Sequence, residues 1–148
     1  MADHAGITVS RMNEKATMKQ GRVLLADSHE DMLFGVKDLL EKVFDVVLMV
    51  ADEKSLLEAV HKLRPELVVV DLSMPVTKEL NVARRLRRLD PELKFIILSV
   101  HDERMVADEC LAAGASGYVL KRTASEDLIP AAREVLSGGT YVSPTVEV

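Results

Sequence analysis

Four consecutive apolar residues, Leu67-Val68-Val69-Val70, run straight into a carboxylate at Asp71, and Pro75 follows shortly after. A short run of branched side chains with no polar alternation suits a strand covered on both faces, as in a parallel sheet. Parallel strands cannot be joined by hairpins, so crossover helices must flank this one in the chain. Pro75 ends the extended stretch and sets a turn. Asp71 then stands at the carboxyl end of a buried strand, where open α/β sheets place their chemistry. The plainer reading is an aspartate that merely opens a turn.

The rest of the chain supplies what such a strand needs. Apolar runs over 23–26, 46–51, 95–100 and 118–120 read as further strands, and the central one extends over 67–72. Between them apolar residues recur at helical spacing. Met32, Leu33, Val36, Leu39, Leu40 and Val43 form the first stripe. Leu56, Leu57, Val60 and Leu63 form the second, closed by Arg64-Pro65, and Leu80, Ala83, Leu86 and Leu89 the third, closed by Asp90-Pro91. A fourth helix over 103–113 ends at Gly114, a natural C-cap. The fifth carries Leu128, Ile129, Ala132, Val135 and Leu136, and Pro130 fits it only in the first turn. Five βα units predict an α/β domain, a doubly wound five-stranded parallel sheet with right-handed crossovers.

With 148 residues, 48% of them hydrophobic, the chain is large enough for one such domain. Residues 1–20 are polar and aperiodic and are expected to form a disordered leader. The domain is expected over 21–139, and 140–148 as a linker toward a further domain absent from this chain. A net charge of −5 argues against nucleic-acid binding by this chain itself. The single cysteine, Cys110, excludes an internal disulfide and reads as a small core residue. No apolar run has the length of a membrane span, and no signal-peptide pattern opens the chain, so a cytoplasmic location is expected.

The strand ends carry the chemistry. Strand one ends at Asp27, strand three at Asp71, strand four at Ser99 and strand five at Lys121. In a parallel sheet these ends share one edge, so two carboxylates, a hydroxyl and an ammonium meet in one crevice. Clustered carboxylates repel unless a cation sits among them, and Mg²⁺ suits two carboxylates, a carbonyl and waters. Such a metal with a lysine neutralises a phosphoryl group in transfer, with Asp71 as the nucleophile.

The order Ala26-Asp27-Ser28-His29, Val70-Asp71-Leu72-Ser73-Met74-Pro75, Leu98-Ser99-Val100 and Gly114-Ala115-Ser116-Gly117-Tyr118-Val119-Leu120-Lys121 resembles the receiver domain of bacterial response regulators. The last block, with Gly138-Gly139-Thr140-Tyr141-Val142-Ser143-Pro144, resembles the LuxR-type (NarL/FixJ-like) subgroup, which joins its receiver to a helix-turn-helix DNA-binding domain. The resemblance implies the flavodoxin-like (βα)5 receiver fold. It implies that Asp71 accepts a phosphoryl group from a histidine kinase and that Asp27 holds Mg²⁺ largely through water. Ser73 is then expected to offer a carbonyl to the metal, Lys121 to pair with the carboxylate or the phosphoryl group, and Ser99 to turn its hydroxyl onto a phosphoryl oxygen. Tyr118 is expected to change rotamer with Ser99. DNA contact is expected only through the output domain, and self-association as a weak homodimer.

Three departures gather at one place. Ser28 stands where the family usually has a second acid that touches the metal, Val76-Thr77-Lys78-Glu79 replaces a glycine-bearing loop, and Val100 replaces a small residue. Weak Mg²⁺ binding is expected in consequence. The alternative reading is a degenerate pseudo-receiver that acts as a phosphorylation-independent dimerisation module. A small phosphate hydrolase is a further rival, although so short a chain offers little substrate pocket. Arg84, Arg85, Arg87 and Arg88 read as a solvated helix face rather than a nucleic-acid patch, and His29 and His101 as loop residues at the rim of the site.

Overall fold

The computed structural model describes residues 19–147. All but the last two residues of the expected leader lie outside that range. The chain alternates strand and helix: β1 Gln20–Ala26, α1 Glu30–Leu40, β2 Phe44–Val50, α2 Glu53–Leu63, β3 Leu67–Asp71, α3 Val82–Leu89, β4 Phe95–Ser99, α4 Arg104–Ala112 and β5 Gly117–Leu120. A short 3₁₀ turn, Lys121–Thr123, leads into α5 Ala124–Leu136, and β6 Tyr141–Val142 closes the chain. Every strand pair is parallel, and the order across the sheet is β2-β1-β3-β4-β5-β6.

The central run behaves as its composition demands: all five residues of β3 are buried. Alternate side chains pass to opposite faces. Val68 and Val70 join Leu24, Phe95 and Ile97 under Leu56, Leu86 and Cys110 from α2, α3 and α4. Leu67 and Val69 join Val23, Leu25 and Ile96 under Val36, Leu40, Leu128 and Val135 from α1 and α5. Each fully buried Val, Leu or Ile contributes roughly 1.5–3 kcal/mol, so the two layers hold the sheet edge rigid where the polar strand ends emerge.

Local signals set the helix ends. Asp52 accepts the Ser55 amide at 2.8 Å and Asn81 the Arg84 amide at 3.0 Å, so both act as N-caps. Arg64 closes α2 in the left-handed region (φ 45°) before Pro65. Gly114, with φ 112°, closes the turn after α4 as expected. Among the described residues no helix is long and apolar enough to cross a membrane.

Four expectations need correction. The sheet has six strands, not five, because Tyr141 and Val142 pair with Gly117 and Tyr118. The segment read as a linker is therefore packed: Ser143 and Val146 are buried. Leu80 is 80% exposed and lies before α3, whose start is set by the Asn81 cap. Pro130 sits inside α5, beyond its first turn. The carbonyl it leaves without a donor is that of Glu126, and both residues are exposed, so water can satisfy it.

Candidate functional site

Asp71 is the last residue of β3 and is 2% exposed. Its Oδ1 accepts the Ser73 amide at 2.9 Å and the Ser73 hydroxyl at 3.0 Å. Its Oδ2 accepts Lys121 Nζ at 2.6 Å and lies 3.1 Å from His29 Nδ1. Burial pushes the Asp71 carboxyl up, but the Lys121 ammonium and the Ser73 amide outweigh it and hold the group down at about 2. The carboxylate is thus ionised at neutral pH and available as a nucleophile or a ligand.

Asp27 follows β1 and is 1% exposed. Its Oδ1 accepts the His29 amide at 2.8 Å and lies 3.0 Å from His29 Nδ1, and its Oδ2 lies 3.5 Å from Lys121 Nζ. One ammonium from the end of β5 therefore bridges carboxylates from the ends of β1 and β3. Breaking such a buried pair from one side costs about 3–5 kcal/mol, so Lys121 is a structural as well as a chemical element.

Ser99, the last residue of β4, is also buried, and its Oγ accepts the His101 amide at 3.0 Å. Tyr118 is fully buried and donates its hydroxyl to the His101 carbonyl at 2.6 Å. Both side chains expected to switch thus hold the same residue of the loop after β4. Burial raises the Tyr118 phenol above its ordinary value, which keeps it a donor.

The four strand-end residues stand at one edge of the sheet, and three of them, Asp71, Ser99 and Lys121, line a cleft with a volume of about 820 Å³. His29, Ser73, Val100, His101 and Arg122 also line it. Ser28 is exposed. His101 stays at the rim as expected. His29 does not: its ring reaches both carboxylates, drawn in by the turn that Asp27 makes with its amide. The spacing Asp27-Ser28-His29 contained that signal, since an aspartate commonly accepts the amide two residues on. In the loop after Pro75, Lys78 takes φ 69°, the left-handed conformation a glycine would adopt without strain. Glu53 braces that loop, accepting the Thr77 amide at 3.0 Å and Arg85 Nε at 2.9 Å.

Three of the four arginines of α3 are engaged, while Arg84 is exposed as expected of a solvated face. Arg85 pairs with Glu53 and Arg88 with Glu79. Arg87 donates to the carbonyls of Asp90, Pro91, Leu93 and Gly114 and lies over the Phe95 ring at 5.2 Å. It ties the end of α3 to the turn after α4, a role its place in a basic run conceals.

The carboxylate oxygens of Asp27 and Asp71 and a ring nitrogen of His29 lie within 4.8 Å of one another. Two buried, ionisable oxygen donors at that spacing fit a divalent cation.

The family model described as "Response regulator receiver domain" matches residues 23–133. The transcriptional regulatory protein DegU of Brevibacillus brevis is 34% identical over 137 residues, covering 91% of this chain and 58% of that protein. Among solved structures, a LuxR-family two-component response regulator from Aurantimonas sp. SI85-9A1 aligns with a TM-score of 0.76 at 29% identity, covering 84% of this chain and 91% of that one. The isolated REC domain of RcsB from Salmonella enterica serovar Typhimurium, solved with the phosphomimetic BeF3⁻, gives 0.76 at 28%, covering 84% and 94%. This chain spans little more than half the length of the curated relatives it matches. The convergent strand-end groups and these likenesses agree on one conclusion: the chain belongs to the response-regulator receiver family.

Proposed function

We propose that Asp71 accepts a phosphoryl group from a histidine kinase and that the resulting change controls a DNA-binding output domain of the LuxR type. The contact that carries this reading is Lys121 Nζ on Asp71 Oδ2 at 2.6 Å, with Asp27 Oδ2 at 3.5 Å. An Asp71 oxygen attacks phosphorus, the phosphorus–nitrogen bond of the donor phosphohistidine breaks, and its electron pair stays on the departing imidazole, which takes up a proton. Lys121 compensates charge on the phosphoryl oxygens. Asp27, Asp71 and the Ser73 carbonyl are the groups that would hold Mg²⁺, which would supply further charge neutralisation when bound. Ser99 then leaves the His101 amide for a phosphoryl oxygen. Tyr118 donates to the same residue, so the loop and the buried phenol move together. No observation on the described residues favours a phosphorylation-independent module.

Incubation with acetyl phosphate and Mg²⁺, followed by intact mass, tests the reading. One phosphoryl adduct is expected, absent from Asp71→Asn. An adduct that persists in that variant, or none in the parent, rejects Asp71 as the acceptor.

A further inference from the structure

We propose that His29 is itself a metal ligand of this site and turns it toward borderline first-row divalent cations such as Co²⁺ or Zn²⁺, away from Mg²⁺. The inference deepens the phosphoacceptor reading and rests on the same two carboxylates. His29 is the N-cap residue of α1, and its own amide is fixed on Asp27 Oδ1 at 2.8 Å. That bond sets the ring's approach. Nδ1 then lies 3.0 Å from Asp27 Oδ1 and 3.1 Å from Asp71 Oδ2. Neighbouring ligands of an octahedral cation with bonds of about 2.1 Å sit about 3.0 Å apart, so the nitrogen already keeps the spacing of a neighbouring ligand to each oxygen.

The chemistry of the donors points the same way. The neighbouring residue, Ser28, is exposed and brings no charge to the carboxylates. Among the described residues the side-chain set is therefore two carboxylates and an imidazole, with the Ser73 carbonyl, rather than carboxylates alone. Mg²⁺ prefers oxygen and releases its waters reluctantly. Imidazole suits later first-row metals, whose affinity rises along the series. The ring is 58% exposed, so a metal can reach it without unpacking the core. A plain hydrogen-bonded counter-group is the competing role for His29.

Calorimetric titration of the full chain with Co²⁺, Zn²⁺ and Mg²⁺, at about pH 8 so that the ring carries no competing proton, separates the two. Co²⁺ and Zn²⁺ are expected to bind at least about 10-fold more tightly than Mg²⁺. His29→Ala is expected to weaken Co²⁺ by about 10-fold or more while leaving Mg²⁺ within about 2-fold, and Asp71→Asn to weaken both. The position of the visible Co²⁺ band reports ligation by nitrogen, a stronger-field donor than oxygen, and should move to longer wavelength in His29→Ala. Ser28→Asp is expected to narrow the gap between Co²⁺ and Mg²⁺ from the Mg²⁺ side. Equal Co²⁺ affinity in the parent and His29→Ala overturns the proposal, even where Asp71 still takes a phosphoryl group with Mg²⁺. His29-dependent Co²⁺ binding in a chain that takes no phosphoryl group with any of these metals upholds the ligand and overturns the phosphoacceptor reading instead.

Discussion

Ser28 and His29 are neighbours in the chain, yet only His29 reaches the carboxylates in the cleft. A hydroxyl at position 28 adds no formal charge to a site that holds Asp27 and Asp71. A nearby unit charge is worth on the order of 1–3 kcal/mol to a bound cation, so Ser28→Asp is expected to raise Mg²⁺ affinity by about 10- to 100-fold in calorimetric titration. No gain would place residue 28 away from the metal. Asp71 makes a second test at this scale. Its carboxyl is held at about 2, below its ordinary 3.8, against the opposing effect of burial. An acid lowered on folding adds stability above its unfolded value and loses it as pH falls through its folded value. The contribution of Asp71 is therefore complete above about pH 5, falls progressively as pH drops through the folded value, and is gone only near about pH 1. Asp71→Asn is expected to flatten this acid limb in denaturant melts run across pH; an unchanged limb assigns the limb to other carboxylates. Asp27, Asp71, Ser99 and Lys121 were legible from the chain because each ends an apolar run, and a parallel sheet collects such ends on one edge. His29 was legible only in part: the turn that fixes its amide on Asp27 is a local signal, but its reach to Asp71 depends on the sheet that brings the two strand ends together.

Elements obey local rules until packing adds a partner those rules cannot see. The caps at Asp52 and Asn81 and the stop at Gly114 are written in short-range chemistry. Leu80 fits a helical stripe, but the Asn81 cap starts α3 after it and leaves it in solvent. The stretch from Thr140 onward carries the polar, proline-bearing composition of a linker. In the fold Tyr141 and Val142 extend the sheet, Leu120 donates its amide to Ser143 Oγ at 3.0 Å, and Val146 is 6% exposed beside Tyr118 and Leu120. Glu147 donates its amide to the Asp102 carbonyl at 2.8 Å, so this strap also touches the loop after β4. Burying Val146 is worth about 1.5–2 kcal/mol and each Ser143 hydrogen bond about 1 kcal/mol. Removing residues 141–147 is expected to cost roughly 2–4 kcal/mol in urea denaturation. Stability unchanged by the truncation would show that the strap is not held in solution.

For the whole molecule, the two-layer arrangement leaves α1 and α5 together on one face and α4 beside β5 and the strap on the other. The LuxR-type reading proposes a weak homodimer, through α1 with α5 or through the α4–α5 side, because output domains of this class bind paired DNA half-sites. Sedimentation velocity is expected to show reversible self-association at high concentration that acetyl phosphate strengthens. A strict monomer with and without the donor counts against it. The amino-acid sequence by itself determined the fold class, the parallel sense of the sheet and the four strand-end groups of the site. These follow from hydrophobic period, crossover geometry and turn residues, all of which act over a few positions. Only the tertiary structure decided that the tail becomes a sixth strand, that Arg87 serves four carbonyls, and that His29 joins Asp27 and Asp71. Each depends on at least one group far away in the chain (Gly117 and Tyr118 for the strand, Gly114 for Arg87, Asp71 for His29), a condition that no local period or propensity encodes.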